Sequence, residues 1–261
     1  MNNSTAPVVL GLDGPIARIS FNRPTVLNAI DQAMADAFLS AVETIAATPG
    51  VRVVVLRGEG RAFMAGGDLA SLSKDPVCSA QALIRAMHTA IGLLARLPLP
   101  VIASVHGAVA GAGLSLALAA DLAIAADDAT FNLAYARIGA SPDVSGSWHL
   151  PRIVGLRKAM EIALLADTFD AQEALRLSIV NRVVPAAKLA AETQKLVEQF
   201  ARGPTFAFGK IKQLLRASLD RDLQTQLDAE GDAFKACAAT LDFNEGLSAF
   251  LAKRRPNFGG H

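Results

Sequence analysis

Apolar residues in this chain follow two rhythms. In the first half they come as short, nearly continuous runs; in the second they recur every three or four positions. Residues 8–12 and 16–21 read as strands joined by an Asp13-Gly14-Pro15 turn, a hairpin signal. Asn22-Arg23-Pro24 breaks that pattern. Asp31 then stands where an N-cap belongs, opening a helix to about Ala47 with Met34, Phe38, Val42 and Ile45 on one face. Residues 51–56 are almost wholly apolar, as in a strand covered on both faces. A helix is predicted over 79–96, with Leu83, Met87, Ile91 and Leu94 in phase, and a second buried strand over 100–105. A buried helix over 113–120 and strands near 122–125 and 130–133 follow. Beyond a hinge at Ser141-Pro142-Asp143 the pattern is helical except at 179–184. From Pro185 on it is amphipathic, and its stripes (Leu189, Leu196, Phe200, Leu223, Phe234, Phe250) must pack on the body or on another subunit. The pattern predicts an α/β body with a helical tail and no sequence repeat.

Composition narrows the class. The 261 residues suffice for one large domain, and 52% hydrophobic against 19% charged describes a folded core. A formal charge of only +1 argues against a nucleic-acid groove. The apolar stretches read as too short or too interrupted to cross a bilayer, and residues 1–8 lack a basic leader region. Cys78 and Cys237 form no framework, so the expected compartment is a reducing cytoplasm. His106, His149 and His261 have no ligand spacing with carboxylates, so no metal is expected.

The candidate chemistry lies in two Gly/Ala-rich turns, each directly after a buried strand: Ala62-Phe63-Met64-Ala65-Gly66-Gly67-Asp68-Leu69 and His106-Gly107-Ala108-Val109-Ala110-Gly111-Ala112-Gly113-Leu114-Ser115-Leu116. Such turns can aim bare backbone N–H groups into a cleft, and two converging N–H groups stabilise a developing oxyanion. Taken singly, each reads as a tight strand-to-helix connection. Asn22-Arg23-Pro24-Thr25-Val26-Leu27-Asn28-Ala29-Ile30 precedes them, and Arg152-Ile153-Val154-Gly155 and Phe250-Leu251-Ala252-Lys253-Arg254-Arg255-Pro256-Asn257-Phe258 follow.

In this order the five motifs resemble the crotonase family of enoyl-CoA hydratases and isomerases over nearly the whole chain. The resemblance implies an α/β fold, a crotonase-like spiral of ββα units with a C-terminal α-helical trimerisation region. An acyl-CoA-binding core would occupy 1–200 and the helical region 201–261, in a homotrimer or dimer of trimers. It implies a thioester substrate that brings coenzyme A with it, and no permanently bound cofactor. The backbone N–H groups of Gly67 and Ala112 would be the oxyanion donors. Pro24, Val26, Leu27 and Ala65 would lie beside pantetheine and adenine, with Phe250 or Lys253 reaching in from a neighbouring subunit. Asp68 would order the first turn. Many hydratases have a lysine two residues beyond this Asp; here it is Ala70, and Lys74 and Arg61 read as solvated surface.

The departures point to a reaction. The two glutamates with which the family's hydratases activate water and deliver a proton match Ser115 and Tyr135, and neither is a carboxylate base. Asp143 is the carboxylate that appears instead, at a place where related isomerases carry theirs. One carboxylate suffices to move a proton between carbons of an oxyanion-stabilised dienolate. The resemblance leaves a rival: in 4-chlorobenzoyl-CoA dehalogenases an aspartate here is the nucleophile, a histidine matching His88 is the base, and a tryptophan stands where Tyr135 is. A histidine at 88 is also similar to ring-1,2-epoxyphenylacetyl-CoA isomerase relatives. Without the resemblance, Asp143 is a helix cap, His88 a surface histidine and Tyr135 an apolar wall. A catalytically silent acyl-CoA-binding member is the remaining alternative. The acyl pocket is expected along 72–83 and the tail helices.

Overall fold

The computed structural model describes residues 6–73 and 75–261; Lys74 and the first five residues of the leader reading lie outside the described residues. Strands β1 (Val8–Asp13) and β2 (Ile16–Phe21) pair antiparallel. Asp31 caps α1 (Gln32–Ala47) by accepting the Met34 N–H at 2.9 Å, and the expected apolar face is buried. β3 (Val53–Gly58) starts two residues later than the apolar run, because the Arg52 and Val53 N–H groups bond to Pro15 O at 2.8 and 3.3 Å before the ladder begins. There follow α2 (Leu69–Leu72), α3 (Pro76–Arg96), β4 (Val101–Val105), β5 (Ala108–Ala110), α4 (Ala112–Ala119), β6 (Leu122–Ala126) and β7 (Thr130–Asn132). α3 starts three residues before the helix predicted over 79–96, opened by Asp75 capping Cys78 N–H at 3.1 Å, so most of the stretch expected along the acyl pocket is helical. The second half contains α5 (Gly146–Val154), α6 (Leu156–Leu165), β8 (Phe169–Asp170), α7 (Ala171–Arg176), β9 (Arg182–Val184) and α8 (Leu189–Ala201). The tail is α9 (Thr205–Ala217), α10 (Leu223–Ala238) and α11 (Leu241–Leu251).

The strands form two layers. The larger sheet has the order β1-β2-β3-β4-β6-β9, parallel from β2 onward; the smaller is β5-β7-β8. Single parallel bridges, Ile30 to Gly67 and Met64 to Val109, extend the smaller layer back through the chain. Each turn of the path therefore lays a strand in the large sheet, a short extended piece in the second layer, and then a helix: β3, Met64–Gly67 and α2–α3, then β4, β5 and α4. This is the expected spiral of ββα units. It leaves no repeat in the sequence because backbone pairing and any well-packed apolar side chain satisfy it.

One face of the large sheet packs on α1 and α3 through Phe21, Phe38, Phe63 and Met87. On the other, Val53, Val55, Ile102 and Ile124 meet Leu189, Leu196 and Val197 of α8. Cover on both sides is why these strands carry almost no polar residues. α3 corrects one expectation: it is long and apolar enough to cross a bilayer by length and composition. Its Leu83, Met87, Ile91 and Leu94 stripe is instead buried in the core. α9 is tied to the body by Lys212, whose ammonium donates to Leu94 O at 3.1 Å and Leu99 O at 3.0 Å and pairs with Asp121 at 2.8 Å. Leu223, Phe234, Leu241, Phe250 and Leu251, by contrast, are exposed on the single chain.

Candidate active site

The spiral brings the two Gly/Ala turns back to back. Gly66 (φ 104°) and Gly111 (φ 51°) take left-handed backbone conformations that side chains disfavour. A Cβ on Gly66 would stand 3.3 Å from Ala110 O and 3.8 Å from Ala112 N, so only bare backbone lets the turns approach this closely. Gly111 absorbs the unusual dihedrals, leaving Ala112 as the first residue of α4 with ordinary helical geometry, so alanine fits there without strain. Neither the Gly67 nor the Ala112 N–H finds an acceptor among the described residues. Their neighbours do: Ala65 N–H bonds Leu27 O at 3.0 Å, Asp68 N–H bonds Ile30 O at 2.8 Å, and Gly111 N–H bonds Asn132 O at 2.8 Å. Two free donors at one junction, one of them at a helix N-terminus, make a site for negative oxygen.

Three side chains line up beside that junction. Ser115 lies in the first turn of α4 and is fully buried. Its Oγ is 3.3 Å from the Tyr135 hydroxyl, which donates a short hydrogen bond to Asp143 Oδ1. The single phenolic proton goes to Asp143, so Ser115 must donate to the phenol oxygen. Burial, then the charge of Asp143 and the bond to it, push the Tyr135 pKa well above its ordinary value, so Tyr135 is a donor at every working pH. Asp143 does not cap α5: the cap position is Ser145, and only the Asp143 carbonyl meets the helix, accepting Gly146 N–H at 2.9 Å. Val144 (φ 50°) and Ser145 (φ 62°) are both left-handed, a strained pair that aims the Asp143 side chain back toward Tyr135. His88, on the exposed side of α3, accepts the Val144 N–H on Nε2 at 3.3 Å.

The first turn has its own clamp. Arg23 bonds Asp68 at 3.0 Å, Asp31 at 3.1 Å and Ala29 O at 2.5 Å. Asp68 also caps α2 through Ser71 N–H at 3.2 Å. Burial alone would raise the Asp68 pKa; Arg23 and the Ser71 N–H outweigh it and hold the carboxyl below its ordinary value. Asp68 is thus committed to shaping the turn. Fully buried Asn28 does equivalent work: its Nδ2 donates to Glu59 O, Ala62 O and Phe63 O at 3.0, 2.9 and 3.2 Å, and its Oδ1 accepts Arg23 N–H at 2.8 Å. Pro24 and Val26 are exposed on the short 3-10 turn Pro24–Val26, with half-buried Leu27 and Ala65 behind them, forming one rim.

The chain aligns from residue 12 to 261 with the family model described as enoyl-CoA hydratase/isomerase. It belongs to that family. It is 37% identical over 249 residues to a 1,2-epoxyphenylacetyl-CoA isomerase of Escherichia coli, covering 94% of this chain and 95% of that one. It is 39% identical over 245 residues to a probable enoyl-CoA hydratase of Rhodobacter capsulatus (94% and 95%). To a 4-chlorobenzoyl coenzyme A dehalogenase of an Arthrobacter species it is 34% identical over 242 residues (91% and 88%). A solved structure of a putative enoyl-CoA hydratase/isomerase from Mycobacterium abscessus superposes with a TM-score of 0.93, at 34% identity, covering 97% and 100% of the two chains. The crotonase-like fold, and membership of a family of enzymes acting on acyl-CoA thioesters, follow.

Within this enoyl-CoA hydratase/isomerase chain, Gly67, Ala112, Tyr135, Asp143 and His88 come together, and Pro24, Val26, Leu27, Ala65 and Asp68 surround the first turn. Phe250 (80% exposed) and Lys253 stand apart, at the end of α11 among the exposed tail helices. Three contributors escaped sequence reasoning. Ser115 reads from the sequence only as a missing carboxylate, yet its hydroxyl bonds the Tyr135 oxygen of the Tyr135–Asp143 pair. Asn28 and Arg23 passed as motif residues; a polar side chain amid Leu27, Ala29 and Ile30 was the signal available.

Proposed function

We propose that this protein is an enoyl-CoA isomerase-type enzyme that shifts a double bond, or rearranges an acyl group, through an enolate held by the Gly67 and Ala112 N–H groups. The observation that carries the reading is the state of Asp143. It is linked through Tyr135 and Ser115 to the first turn of α4, it accepts Tyr135 O–H on Oδ1, and no cation among the described residues is paired with it. Oδ2 is left to take a proton from one carbon of the bound thioester and return it to another. The electron pair released from that C–H bond moves to the thioester oxygen, where the two N–H donors and the N-terminus of α4 stabilise it. Coenzyme A enters with the substrate, along the rim of Pro24, Val26, Leu27 and Ala65. Phe250 and Lys253 would complete that groove from a second copy in a trimer or dimer of trimers, which the uncovered apolar tail supports. Ser115 and Tyr135 in place of carboxylates argue against two-carboxylate hydration.

A dehalogenase-like reading, with Asp143 as nucleophile and His88 activating water, draws on the proximity of these two residues. The His88 geometry weighs against it. Nε2 already accepts the Val144 N–H, so the ring proton sits on Nδ1 and the lone pair a base needs is occupied. His88 steadies the strained loop that carries Asp143.

The test is product analysis with 3-enoyl-, 2-enoyl- and aryl-CoA thioesters in oxygen-18 water. The expected outcome is an isomerised thioester without the heavy isotope. A 3-hydroxyacyl product would overturn the reading in favour of hydration, and oxygen-18 in Asp143 after a single turnover would favour the nucleophile.

A further inference from the structure

Beyond the thioester site, a cavity of about 450 Å³ opens between the C-terminal end of α4 and helices α5, α8 and α9. Neither oxyanion turn nor Asp143 borders it. Its walls are largely apolar, including Leu118, Ile153, Ile179, Phe208 and Ile211. His149 is among the polar residues of the wall. His149 is only 9% exposed, and neither ring nitrogen has a hydrogen-bond partner among the described residues. Its ring stands edge-on to Trp148 with centroids 4.6 Å apart. Burial first, then the charges of Arg216 and Arg152, lower its pKa to about 4, so at neutral pH the ring offers one N–H and one lone pair. Neither ring nitrogen is sealed from the cavity's solvent, so both remain open to a ligand.

The charge around the cavity is one-sided. Lys212, Arg216 and Arg152 face a single wall carboxylate, Asp121. Asp121 is already bound by Lys212 at 2.8 Å and Arg216 at 2.7 Å. Arg152 turns outward to Asp220 at 3.3 Å and stacks 3.9 Å above Trp148. Arg216 uses Nε and Nη2 on Asp121 and Ala119 O, leaving Nη1 without a partner among the described residues. An apolar cavity with one neutral imidazole and one spare guanidinium nitrogen matches an anion with a greasy body.

We propose that this cavity is a second ligand site, which binds a monocarboxylate bearing an apolar chain or ring. The carboxylate lies between Arg216 Nη1 and the His149 N–H, and the apolar part among Leu118, Ile179 and Phe208. This rests on none of the residues assigned to isomerisation, so either reading can fail alone. Trp148 is the only tryptophan in the chain and lines the cavity, so its emission reports occupancy. The full-length protein is titrated with decanoate, with decanol as neutral comparator, and again in the presence of a saturating acyl-CoA analogue. The expected result is a saturable Trp148 response to decanoate, at least tenfold tighter than to decanol and unchanged by the analogue. Arg216→Gln should bring decanoate down to the level of decanol, and His149→Phe should weaken both. Ile179→Phe, which fills the cavity without touching a polar group, should abolish both responses while the melting transition is retained. No saturable response (as when a second copy covers the cavity), equal affinity for the two probes, or displacement by the analogue would each overturn the proposal.

Discussion

Replacing Ala112 by proline deletes one N–H group and sets a ring methylene where that hydrogen pointed. Ala112 is the first residue of α4, the helical position where proline is best tolerated because its N–H has no intrahelical acceptor. That N–H bonds nothing among the described residues, so none of their hydrogen bonds is lost on substitution, and Gly111 before it has no Cβ to clash with the ring. The expected change in folding stability is therefore small, within about 1 kcal/mol. Catalysis should respond very differently. The thioester oxygen gains most of its negative charge in the enolate, and one of its two donors is gone. A single oxyanion donor is worth about 10²–10³ in kcat, or roughly 3–4 kcal/mol. Isomerisation of a 3-enoyl-CoA, followed by absorbance of the conjugated product, gives kcat; urea unfolding gives stability. Ala112→Gly, which keeps the N–H, should stay within about threefold of wild type in kcat, a rate change of less than 1 kcal/mol. A proline variant that folds normally and turns over within threefold of wild type would remove Ala112 from the site.

Other outcomes follow from the same geometry. Tyr135→Phe takes from Asp143 its hydrogen-bond donor and should lower kcat by about tenfold or more with little change in KM, as expected for a group acting on the base rather than on binding. Gly146→Ala would drive a methyl group into Ser115 Oγ and should lower kcat through the Ser115–Tyr135–Asp143 chain; adding Ser115→Gly should restore part of the loss, a coupling read from a double-mutant cycle. Asn28→Ala removes the amide that joins residue 23 to residues 59–63 and should cost about 2–4 kcal/mol in urea unfolding, with several buried carbonyls left unpaired. His149 is neutral when folded down to about pH 4, whereas the unfolded chain protonates it near its ordinary pKa of 6.5. Between those values the unfolded state binds more protons, so stability falls as the pH drops through this window, by up to about 3 kcal/mol. His149→Phe should flatten that slope, and an unchanged slope would refute the assignment.

The large sheet was legible because strands buried on both faces must be almost wholly apolar, and α1 because Asp31 both caps it and precedes its stripe. Strands β5 and β8 are too short for a pattern of side chains to reveal, being defined by backbone pairing alone. The two turns were visible as turns, and their order suggested a shared purpose. Their meeting at Gly66 and Gly111 depends on the spiral, which places distant segments side by side without any signature in residue type. Asp143 was visible as a carboxylate in the right place. The link from Ser115 through Tyr135 was not, since it spans residues 20 and 8 positions apart whose side chains meet only in the folded chain. The same holds for Asn28, whose partners are main-chain carbonyls that any sequence would supply.

The central claim is that a single base, Asp143, moves the proton while the Gly67 and Ala112 donors hold the enolate. Its most direct test is Asp143→Asn, an isosteric change that keeps an acceptor for Tyr135 and removes the proton shuttle. Exchange of the thioester's α- or γ-hydrogens with deuterium oxide, followed by NMR on a 3-enoyl-CoA, reads that proton transfer without requiring net turnover. The account predicts binding near the wild-type level with exchange and isomerisation reduced by about 10²–10⁴. Wild-type exchange in the folded variant would contradict it.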